Sequence, residues 1–461
     1  MGIIRPAIIS CIKKGYCVFL YDFKFDDLTK IAYNTLLKYQ GNFAIPPKFY
    51  VINFDDLSIT NRCNPLEPQT MYDITDASEA ARTILLGLNR EWIKKTGDFW
   101  VESSINFMTA IIWFLRKYKN GKYCTLPHVI ELMQVDYDDL WPVLGTETEI
   151  EVLINPFLSA YLNQAREQLE GQIGSAKISI ARLSSPSLYY VLSGDEFSLD
   201  INNPKEPKLV AVGNNPGKVQ IYGAVLSLYI SRVGRLVARK GMHKCAIIAD
   251  EFSSIFWNGI ESLIAIARGY RVAIILAIQD YAQLKKDYSR EQAEVIMNIC
   301  SNLICGQAVG DTAKLVSDRI GKIVQQRESV SINRTDTSIS RNTQLDLAVP
   351  PSRISNLSSG EIVGVVADNP DMPIKHKAFH TKLKIDFDAI NAEEKEYKPL
   401  KKVRNITPIE VQNVYITIKN DIFDLIESEL KRIKSDPNLS HLIIKNPAKE
   451  PKEQKPQDGH D

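Results

Sequence analysis

The chain has 461 residues, of which 44% are hydrophobic and 24% are charged, a balance typical of folded globular proteins with two or three domains. This composition excludes fibrous and largely disordered proteins. The 56 Lys and Arg residues nearly balance 55 Asp and Glu residues, which leaves a net charge of +1. Any contact with nucleic acid or anionic lipid must therefore be local. The seven cysteines form no CxxC pair, which disfavours a zinc site or a disulfide framework and fits a reducing cytoplasm.

Membrane insertion and export are both disfavoured by the sequence. The longest nearly uninterrupted apolar stretch, near residues 107–115, has about half of the roughly 20 residues that a membrane span needs. The first residues contain Pro6 and run into Lys13 and Lys14 without the small-residue cleavage site of a signal peptide. We therefore expect a cytoplasmic protein.

The first 55 residues have the pattern strand, helix, strand. The segments CVFLYD (17–22) and FYVINF (49–54) are short, apolar and rich in β-formers, and residues 28–39 between them have helical spacing. This is the repeating unit of a parallel sheet, and a further helix precedes the first strand.

From about residue 70 the pattern becomes helical. Asp76 with Glu79 resembles a capping box. The apolar rhythm then predicts helices over 77–95, 99–117 and 149–180 without intervening strands. We interpret this part as a helical insert.

Strands and helices alternate again after about residue 190. The predicted strands are 207–213, 245–249, 272–278, 302–306 and 361–367, which we expect to continue one α/β sheet. The predicted helices are 219–240, 260–268, 312–320 and 409–433. The polar stretch 325–346 is predicted to be a hairpin or loop, and the tail from Asn446 is predicted to be disordered.

These patterns divide the chain into four parts. Residues 1–69 begin an α/β domain, 70–190 form the all-α insert, 191–385 complete the α/β domain, and 386–461 form a helical and disordered tail.

The segment CAIIADE places two adjacent carboxylates, Asp250 and Glu251, at the end of a buried strand. This is the Walker B pattern, in which the first carboxylate holds Mg²⁺ directly or through water and the second orients and deprotonates the water that attacks a γ-phosphate. The alternative is a buried strand that ends in a solvated acidic turn, which would have the same sequence pattern.

Gln279 ends the next predicted strand, 28 residues after Glu251. Ligands of open parallel sheets bind beyond the carboxyl ends of the strands, so we expect Gln279 beside Asp250 and Glu251. There its amide could sense a γ-phosphate or the attacking water. The alternative is an amide that caps a helix.

The chain contains no GxxxxGK[ST] sequence, the loop that binds phosphates through its backbone N–H groups. The nearest segment, GNNPGKV (213–219), lacks the first glycine and has Val219 where a hydroxyl would bind Mg²⁺. We interpret it as a loop that leads into a helix. A phosphate loop encoded just upstream of the first helix would complete the pattern.

Five segments together resemble the cytoplasmic part of type IV coupling proteins of the TraG/TraD group, the hexameric DNA-pumping ATPases of bacterial conjugation. They are YDFK (21–24), RCNPL (62–66), IIADEF (247–252), ARGYRVAIILAIQD (267–280) and SSGEIVGVVADNP (358–370). The resemblance covers most of residues 1–385. It implies an α/β fold with a RecA-like P-loop NTPase core, a parallel-rich sheet flanked by helices, and an inserted all-α domain.

The resemblance also implies roles for individual residues. Arg268 matches an arginine that reaches the γ-phosphate of the neighbouring subunit; the alternative is a surface arginine favoured by a helix dipole. Arg271 and Arg319 are weaker candidates for the arginine that reaches the γ-phosphate of the neighbouring subunit. Asp22 and Lys24 match the strand-end Asp-x-Lys motif and would face either the nucleotide edge or the helix opposite. A simple ion pair within the turn is an equal alternative.

The function implied is that of an ATP- and Mg²⁺-dependent motor that brings relaxase-bound single-stranded DNA to a type IV secretion channel. Such a motor would be a homo-hexamer anchored in the bacterial inner membrane. The family's membrane helices and Walker A loop are absent from this sequence, so we expect a truncated product that is inactive alone. The alternatives are a non-catalytic binding module and a related DNA-translocating ATPase for segregation or packaging.

Overall fold

The computed structural model describes residues 2–95, 97–332, 337–368 and 373–443. Its helices, in chain order, are α1 Ile4–Lys13, α2 Asp27–Tyr39, α3 Ile74–Leu88, α4 Phe99–Lys117, α5 Leu126–Met133, α6 Tyr137–Leu144, α7 Glu151–Leu162, α8 Arg166–Ala181, α9 Pro186–Leu192, α10 Val219–Val237, α11 Ile260–Ala267, α12 Tyr281–Tyr288, α13 Arg290–Ile299, α14 Gly310–Ile320, α15 Pro351–Ser355, α16 Phe387–Lys395 and α17 Pro408–Ser435. Its strands are β1 Cys17–Asp22, β2 Lys48–Ile52, β3 Lys208–Gly213, β4 Cys245–Ala249, β5 Val272–Leu276, β6 Leu303–Cys305, β7 Lys322–Ile332, β8 Thr337–Leu347, β9 Glu361–Val365 and β10 Ala378–Lys382.

A parallel sheet of five strands, in the order β2-β3-β1-β4-β5, forms the centre of the molecule. Every residue of β1, β3 and β4 is buried, as expected for a sheet that helices cover on both faces. Along β1, Phe19 and Tyr21 enter one core while Val18 and Leu20 enter another. We call the two sides of the sheet the Tyr21 face and the Leu20 face.

The helices are distributed between these two faces. Ile8 and Ile12 of α1 and Leu28 and Ile31 of α2 belong to the core on the Leu20 face. The apolar residues of α3 to α13 pack into the core on the Tyr21 face. The strand-helix-strand unit predicted for the first 55 residues is thus present, but β1 and β2 do not pair because β3 lies between them.

The segment between β2 and β3 contains α3 to α9 and adds no strand to the sheet among its described residues. The predicted start of its first helix was wrong by three residues, because Asp73 rather than Asp76 is the N-cap. The Asp73 carboxylate accepts a hydrogen bond from the Thr75 N–H (2.7 Å), and Asp76 bonds back to the Asp73 N–H (3.3 Å). The helix predicted over 149–180 is two helices, α7 and α8.

The prediction that residues 302–306 and 361–367 continue the central sheet was wrong. They contain β6 and β9, which pair antiparallel with each other in a separate sheet ordered β10-β9-β6. A short apolar run specifies a strand but not its neighbour, and β9 pairs instead with β6 and with β10, a strand that the sequence patterns did not indicate.

The predicted hairpin is the antiparallel pair β7 and β8, and the predicted amphipathic helix is α17. The tail from Asn446 lies outside the described residues. No helix of the described part combines the length and the apolar character that a membrane crossing requires.

Helix α17 packs against α5, α6 and α9. These three helices belong to the segment between β2 and β3, which we call the helical segment. Its Asp421 carboxylate lies 3.3 Å from His128 Nε2, and its Lys419 pairs with Glu131 at 3.0 Å. The tail thus contacts the predicted insert, and the division of the chain at residues 190 and 385 stays a prediction.

Candidate functional site

The carboxyl ends of β1, β4 and β5 lie side by side, because Tyr21 pairs with Ala249 and Ala249 pairs with Leu276. The residues that follow these positions in each strand are therefore neighbours at one edge of the sheet. The structure brings together Asp22, Asp250 and Glu251 in this way, and Gln279 reaches the same edge from the end of β5. We call this region the carboxylate edge.

Glu251 has a buried side chain, 5% exposed, and a left-handed backbone (φ 53°) at the turn that follows β4. Its carboxylate accepts a hydrogen bond from the Ser253 hydroxyl, and the side chain and backbone of Gln279 lie close enough to stabilise its negative charge. Burial raises the pKa of Glu251, and the negative charge of Asp250 adds to this, while the hydrogen bond from Ser253 and the proximity of Gln279 oppose it. The carboxylate is thus held in one orientation with an increased affinity for a proton.

Asp250 is less buried than Glu251, and its backbone N–H donates to the Tyr21 carbonyl at 3.1 Å. Burial raises the pKa of the Asp250 carboxyl, although the positive charge of Lys24 opposes the shift. The Lys24 side chain is exposed. The ion pairs of the described residues include none between Lys24 and Asp22, which was one of the alternatives considered from the sequence. The positive charge of Lys24 acts on Asp250 instead.

Asp22 is fully buried, with 0% exposure. Its Oδ2 accepts hydrogen bonds from the Leu28 N–H (3.1 Å), the Thr29 N–H (2.9 Å) and the Thr29 hydroxyl (2.8 Å) at the start of α2. Its Oδ1 has no hydrogen-bond partner. Burial raises the pKa of Asp22 to about 7, and the negative charge of Asp250 contributes to the shift. A buried oxygen without a partner indicates a position where a ligand or water can bind.

A buried polar network beneath the carboxylate edge was not identified from the sequence. The Asn214 side chain donates to the Tyr21 hydroxyl (2.7 Å), which in turn bonds to the Ser254 hydroxyl. The Ser254 hydroxyl donates to the Glu251 carbonyl at 2.6 Å. A tyrosine hydroxyl within the buried strand β1 was the one signal available for this network, which fixes the turn after β4.

The segment GNNPGKV is a loop that leads into α10, as predicted. Its Lys218 ammonium bonds to the Asp55 carboxylate (2.6 Å) and to the Tyr222 hydroxyl (3.0 Å), and Asn215 binds the same carboxylate at 2.8 Å. The Asp55 contact raises the pKa of Lys218. Because its charge is already paired, Lys218 does not replace the lysine of a phosphate loop.

Arg268 lies at the opposite end of the sheet from Glu251 and Gln279. It is exposed and precedes β5, whereas Gln279 follows that strand. Five residues of strand separate the two ends, a distance of about 17 Å. The structure therefore does not bring Arg268 to the carboxylate edge of its own chain.

The two weaker arginine candidates both bind backbone carbonyls. Arg271 donates to the Met242 carbonyl at 2.9 Å, and Arg319 donates to the carbonyls of Met297 and Cys300 at the end of α13. These contacts stabilise a loop and a helix terminus.

The oxygen ligands of the carboxylate edge fit Mg²⁺, a hard cation that proteins bind through one or two carboxylates together with waters and phosphates. The described residues contain no group of three His, Cys, Asp or Glu side chains arranged to hold a metal ion. A cation held at Asp250 through water stays a prediction.

Solved structures of a conjugative coupling protein share this fold. The unbound monoclinic form of the bacterial conjugative coupling protein TrwBdeltaN70 has a TM-score of 0.64 and 14% identity, covering 84% of this chain and 82% of that chain. The plasmid coupling protein TrwB in complex with ADP and Mg²⁺ has a TM-score of 0.57 and 13% identity, covering 86% and 88%. The likeness confirms the predicted fold class, a parallel-rich α/β core of the RecA-like kind with an all-α region. No curated protein matches the chain.

A protein-family model that matches most of the sequence identifies the family of the chain. The model of the Type IV secretory system Conjugative DNA transfer family matches residues 41–404, well over half of the chain. The chain therefore belongs to this family, and its predicted resemblance to type IV coupling proteins is confirmed. Conjugative DNA transfer is the function of the family, and DNA and a type IV secretory system are its partners.

Proposed function

We propose that the carboxylate edge is the Mg²⁺-ATP site of a conjugative coupling protein that uses hydrolysis to move single-stranded DNA. The observation that carries the proposal is the convergence of Asp250, Glu251 and Gln279, with the Glu251 carboxylate buried and its charge stabilised by Gln279. Two solved structures with this fold contain Mg²⁺ with ADP, or an ATP analogue, which supports the choice of ligand.

Each residue of the carboxylate edge has a role in this proposal. Asp250 holds a hydrated Mg²⁺, which when bound neutralises charge on phosphate oxygens. Glu251 orients the attacking water and accepts its proton, a role for which a raised pKa is suited. The Gln279 amide holds the Glu251 carboxylate and lies where it can contact a γ-phosphate. Asp22, with its unpaired Oδ1, and Lys24 line the side of the site next to β1.

Arg268 would act on the site of a neighbouring subunit. Its exposure and its position at the far end of β5 are compatible with a contact in trans and not with one in its own chain. The proposed assembly is a homo-hexamer, which receives relaxase-bound single-stranded DNA on the cytoplasmic side and passes it to the secretion channel. The proposed assembly is anchored at the bacterial inner membrane.

A second candidate function, that of a binding module without turnover, is favoured by one observation. The 461 residues contain no GxxxxGK[ST] sequence, and the one similar loop has its lysine paired with Asp55. On this view the chain contacts its partners through the helical segment and the tail. The family match favours conjugation over motors for segregation or packaging.

The proposal can be tested with a chimera that has the strand and phosphate loop of a relative joined ahead of residue 1. We expect this chimera to hydrolyse ATP, and Glu251→Gln to abolish turnover while nucleotide binding survives. Glu291→Gln, which changes an exposed carboxylate on α13, is the matched control and should be active. A chimera that binds ATP but is unaffected by Glu251→Gln would contradict the site assignment.

A further inference from the structure

The amino ends of the central strands carry the opposite charge to the carboxylate edge. Lys14 precedes β1, and His243 and Lys244 precede β4, whereas carboxylates follow the same two strands. Because β1 and β4 are parallel neighbours, the three basic residues meet at one end of the sheet. We call this end the amino edge.

A cavity of about 100 Å³ opens at the amino edge, between the end of α1, residues 42–45 and the start of β4. Lys14, His243 and Lys244 line this cavity, and no Asp or Glu is among its lining residues in the described part of the chain. We call these three residues the basic pocket. The cavity has room for several water molecules or for one small anion.

The backbone around the basic pocket is held in place by contacts that do not neutralise its cations. The Arg271 side chain donates to the carbonyl of Met242 at 2.9 Å, directly before His243. The Lys244 ammonium lies 5.0 Å from the ring centroid of Tyr16, an attraction that leaves its positive charge in place. The pocket is therefore formed before any ligand arrives.

None of the ion pairs found among the described residues includes a member of the basic pocket. The same holds for Lys13 and Lys240, two exposed residues that we call the flanking lysines. Glu206, the residue before the lining residue Pro207, is already paired with Lys48 at 2.8 Å. The positive charge at the amino edge is thus available to an anion from solution.

A structural role explains only part of this cluster. The dipole of α1 favours Lys13 and Lys14 in and after its last turn. It does not account for His243 and Lys244, which come from a distant part of the chain. Cations placed around one recess repel one another, so an anion bound between them is stabilised by each of them.

The surroundings of the basic pocket favour a phosphate group of a single-stranded nucleic acid. Lysine binds phosphate as a point charge, and the flanking lysines extend the positive charge beyond the cavity toward further phosphates. Phe43, which is half-buried, and Ile45, which is 46% exposed, line the same cavity. Apolar side chains beside a basic groove are suited to unpaired bases, which a duplex does not offer.

We infer that the basic pocket binds one phosphate group of a single-stranded nucleic acid, and that the flanking lysines bind the phosphates next to it. This site is separate from the carboxylate edge, at the other end of the same strands. The choice of a nucleic acid as the source of the phosphate rests on the proposed function, whereas the phosphate chemistry of the pocket does not.

The test measures fluorescence anisotropy of a labelled twelve-residue oligothymidylate with the full chain. We expect Lys14→Met combined with Lys244→Met to weaken binding about tenfold or more at about 50 mM salt. The slope of log affinity against log salt should fall in magnitude by about 1.4, since each phosphate contact with a single strand contributes about 0.7. Lys401→Met combined with Lys402→Met is the matched control, because these lysines are also exposed and have no ion pair among the described residues. Its affinity should stay within about twofold of wild type.

A second measurement needs no variant and therefore does not depend on folding of the double mutant. Lysine acetylation of the wild-type chain, read by mass spectrometry, should slow at least about fivefold at Lys14 and Lys244 when the oligonucleotide is bound. Acetylation of Lys401 should be unchanged. Inorganic phosphate, ATP and vesicles of phosphatidylglycerol are tested in the same way as alternative sources of a phosphate group.

Loss of affinity in the pocket variant alone, together with protection of Lys14 and Lys244 by the oligonucleotide, supports the inference. Equal losses in the pocket and control variants, or no protection, overturn it. Protection by free phosphate, ATP or vesicles without protection by the oligonucleotide also overturns it, because the source of the phosphate would be another. ATP hydrolysis by the chimera reports on the proposed function separately. Protection of Lys244 with an inactive chimera retains the phosphate site, and an active chimera without protection removes only the phosphate site.

Discussion

At the scale of single residues, Asp22 combines a structural contact with an unsatisfied atom. One carboxylate oxygen holds the first turn of α2 through Leu28 and Thr29, and the other has no partner although the side chain is fully buried. The pKa of about 7 lies above the value of about 3.9 for an unfolded aspartate. The folded chain thus binds a proton that the unfolded chain has released, so its stability falls as the pH rises from about 4 through about 7.

We predict that Asp22→Asn removes this pH dependence. Asparagine retains an oxygen acceptor for the α2 amides but does not ionise. The decrease in unfolding free energy between about pH 5 and about pH 8 should be smaller in the variant, by on the order of 2 to 3 kcal/mol. Urea unfolding at several pH values measures it. Asp22→Ala also lacks the titrating carboxyl and in addition loses the contacts to α2, so its pH profile should run parallel to that of Asp22→Asn and about 1 kcal/mol below it. Parallel pH profiles for wild type and Asp22→Asn would contradict the prediction.

A second prediction at this scale concerns Arg268 in the chimera that contains a phosphate loop. Arg268→Ala should abolish ATPase activity while nucleotide binding survives, because a residue acting in trans contacts the transition state of the neighbouring site. Mixing Arg268→Ala subunits with Glu251→Gln subunits should recover part of the activity, since some interfaces then combine two intact residues. Arg271→Ala is the control. Full activity of Arg268→Ala alone, or no rescue at any mixing ratio, would exclude the role in trans.

At the scale of elements, α17 connects the tail to the helical segment. Leu425 and Ile433 of α17 are buried in the core on the Tyr21 face, with 2% and 0% exposure, whereas Phe423 on the same helix is 68% exposed. The contacts of α17 with α5, α6 and α9 also include polar pairs such as Lys419 with Glu131. Packing of this kind makes the helix part of the folded unit.

We predict that Leu425→Ala lowers the free energy of unfolding by about 2 to 5 kcal/mol, the usual cost of a cavity in a core. Phe423→Ala removes a larger side chain from the surface of the same helix and should change the stability by less than about 0.5 kcal/mol. Denaturant titration of both variants measures the difference. Equal effects would show that α17 does not pack against the helical segment in solution.

At the scale of the whole molecule, the sequence contains no phosphate loop, and this predicts a low rate of ATP hydrolysis by the chain alone. We expect ATP hydrolysis at no more than background rate, because the N–H donors, lysine and hydroxyl that bind phosphates and Mg²⁺ are missing. A coupled phosphate-release assay measures this. Steady turnover that Glu251→Gln abolishes would contradict the prediction.

The net charge of the whole molecule also limits its affinity for nucleic acid. A net charge of +1 leaves only local clusters of Lys and Arg, which a ring would have to combine around its pore. We expect the affinity of the chain for single-stranded DNA to be weak and to fall about tenfold or more between about 50 and about 200 mM salt. Fluorescence anisotropy measures it, and tight, salt-insensitive binding by a monomer would disprove the prediction.

The sequence by itself determined most of the local structure and the general location of the site. Helix α4 and strands β1 and β4 have the predicted bounds, because helical spacing and short apolar runs are local properties of the chain. The position of Gln279 against Glu251 also followed from the sequence, since the ends of neighbouring parallel strands meet at one edge.

The tertiary structure alone decided which strands pair and which polar groups meet. The placement of β3 between β1 and β2, and of β6 and β9 in a separate sheet, depends on contacts between residues far apart in the chain. The bonds of Asp22 to the first turn of α2, the pairing of Lys218 with Asp55, and the cavity shared by Lys14 and Lys244 have the same origin. A strand has two edges and two faces, and its residue pattern describes the faces; the partner at each edge is chosen by packing over the whole molecule.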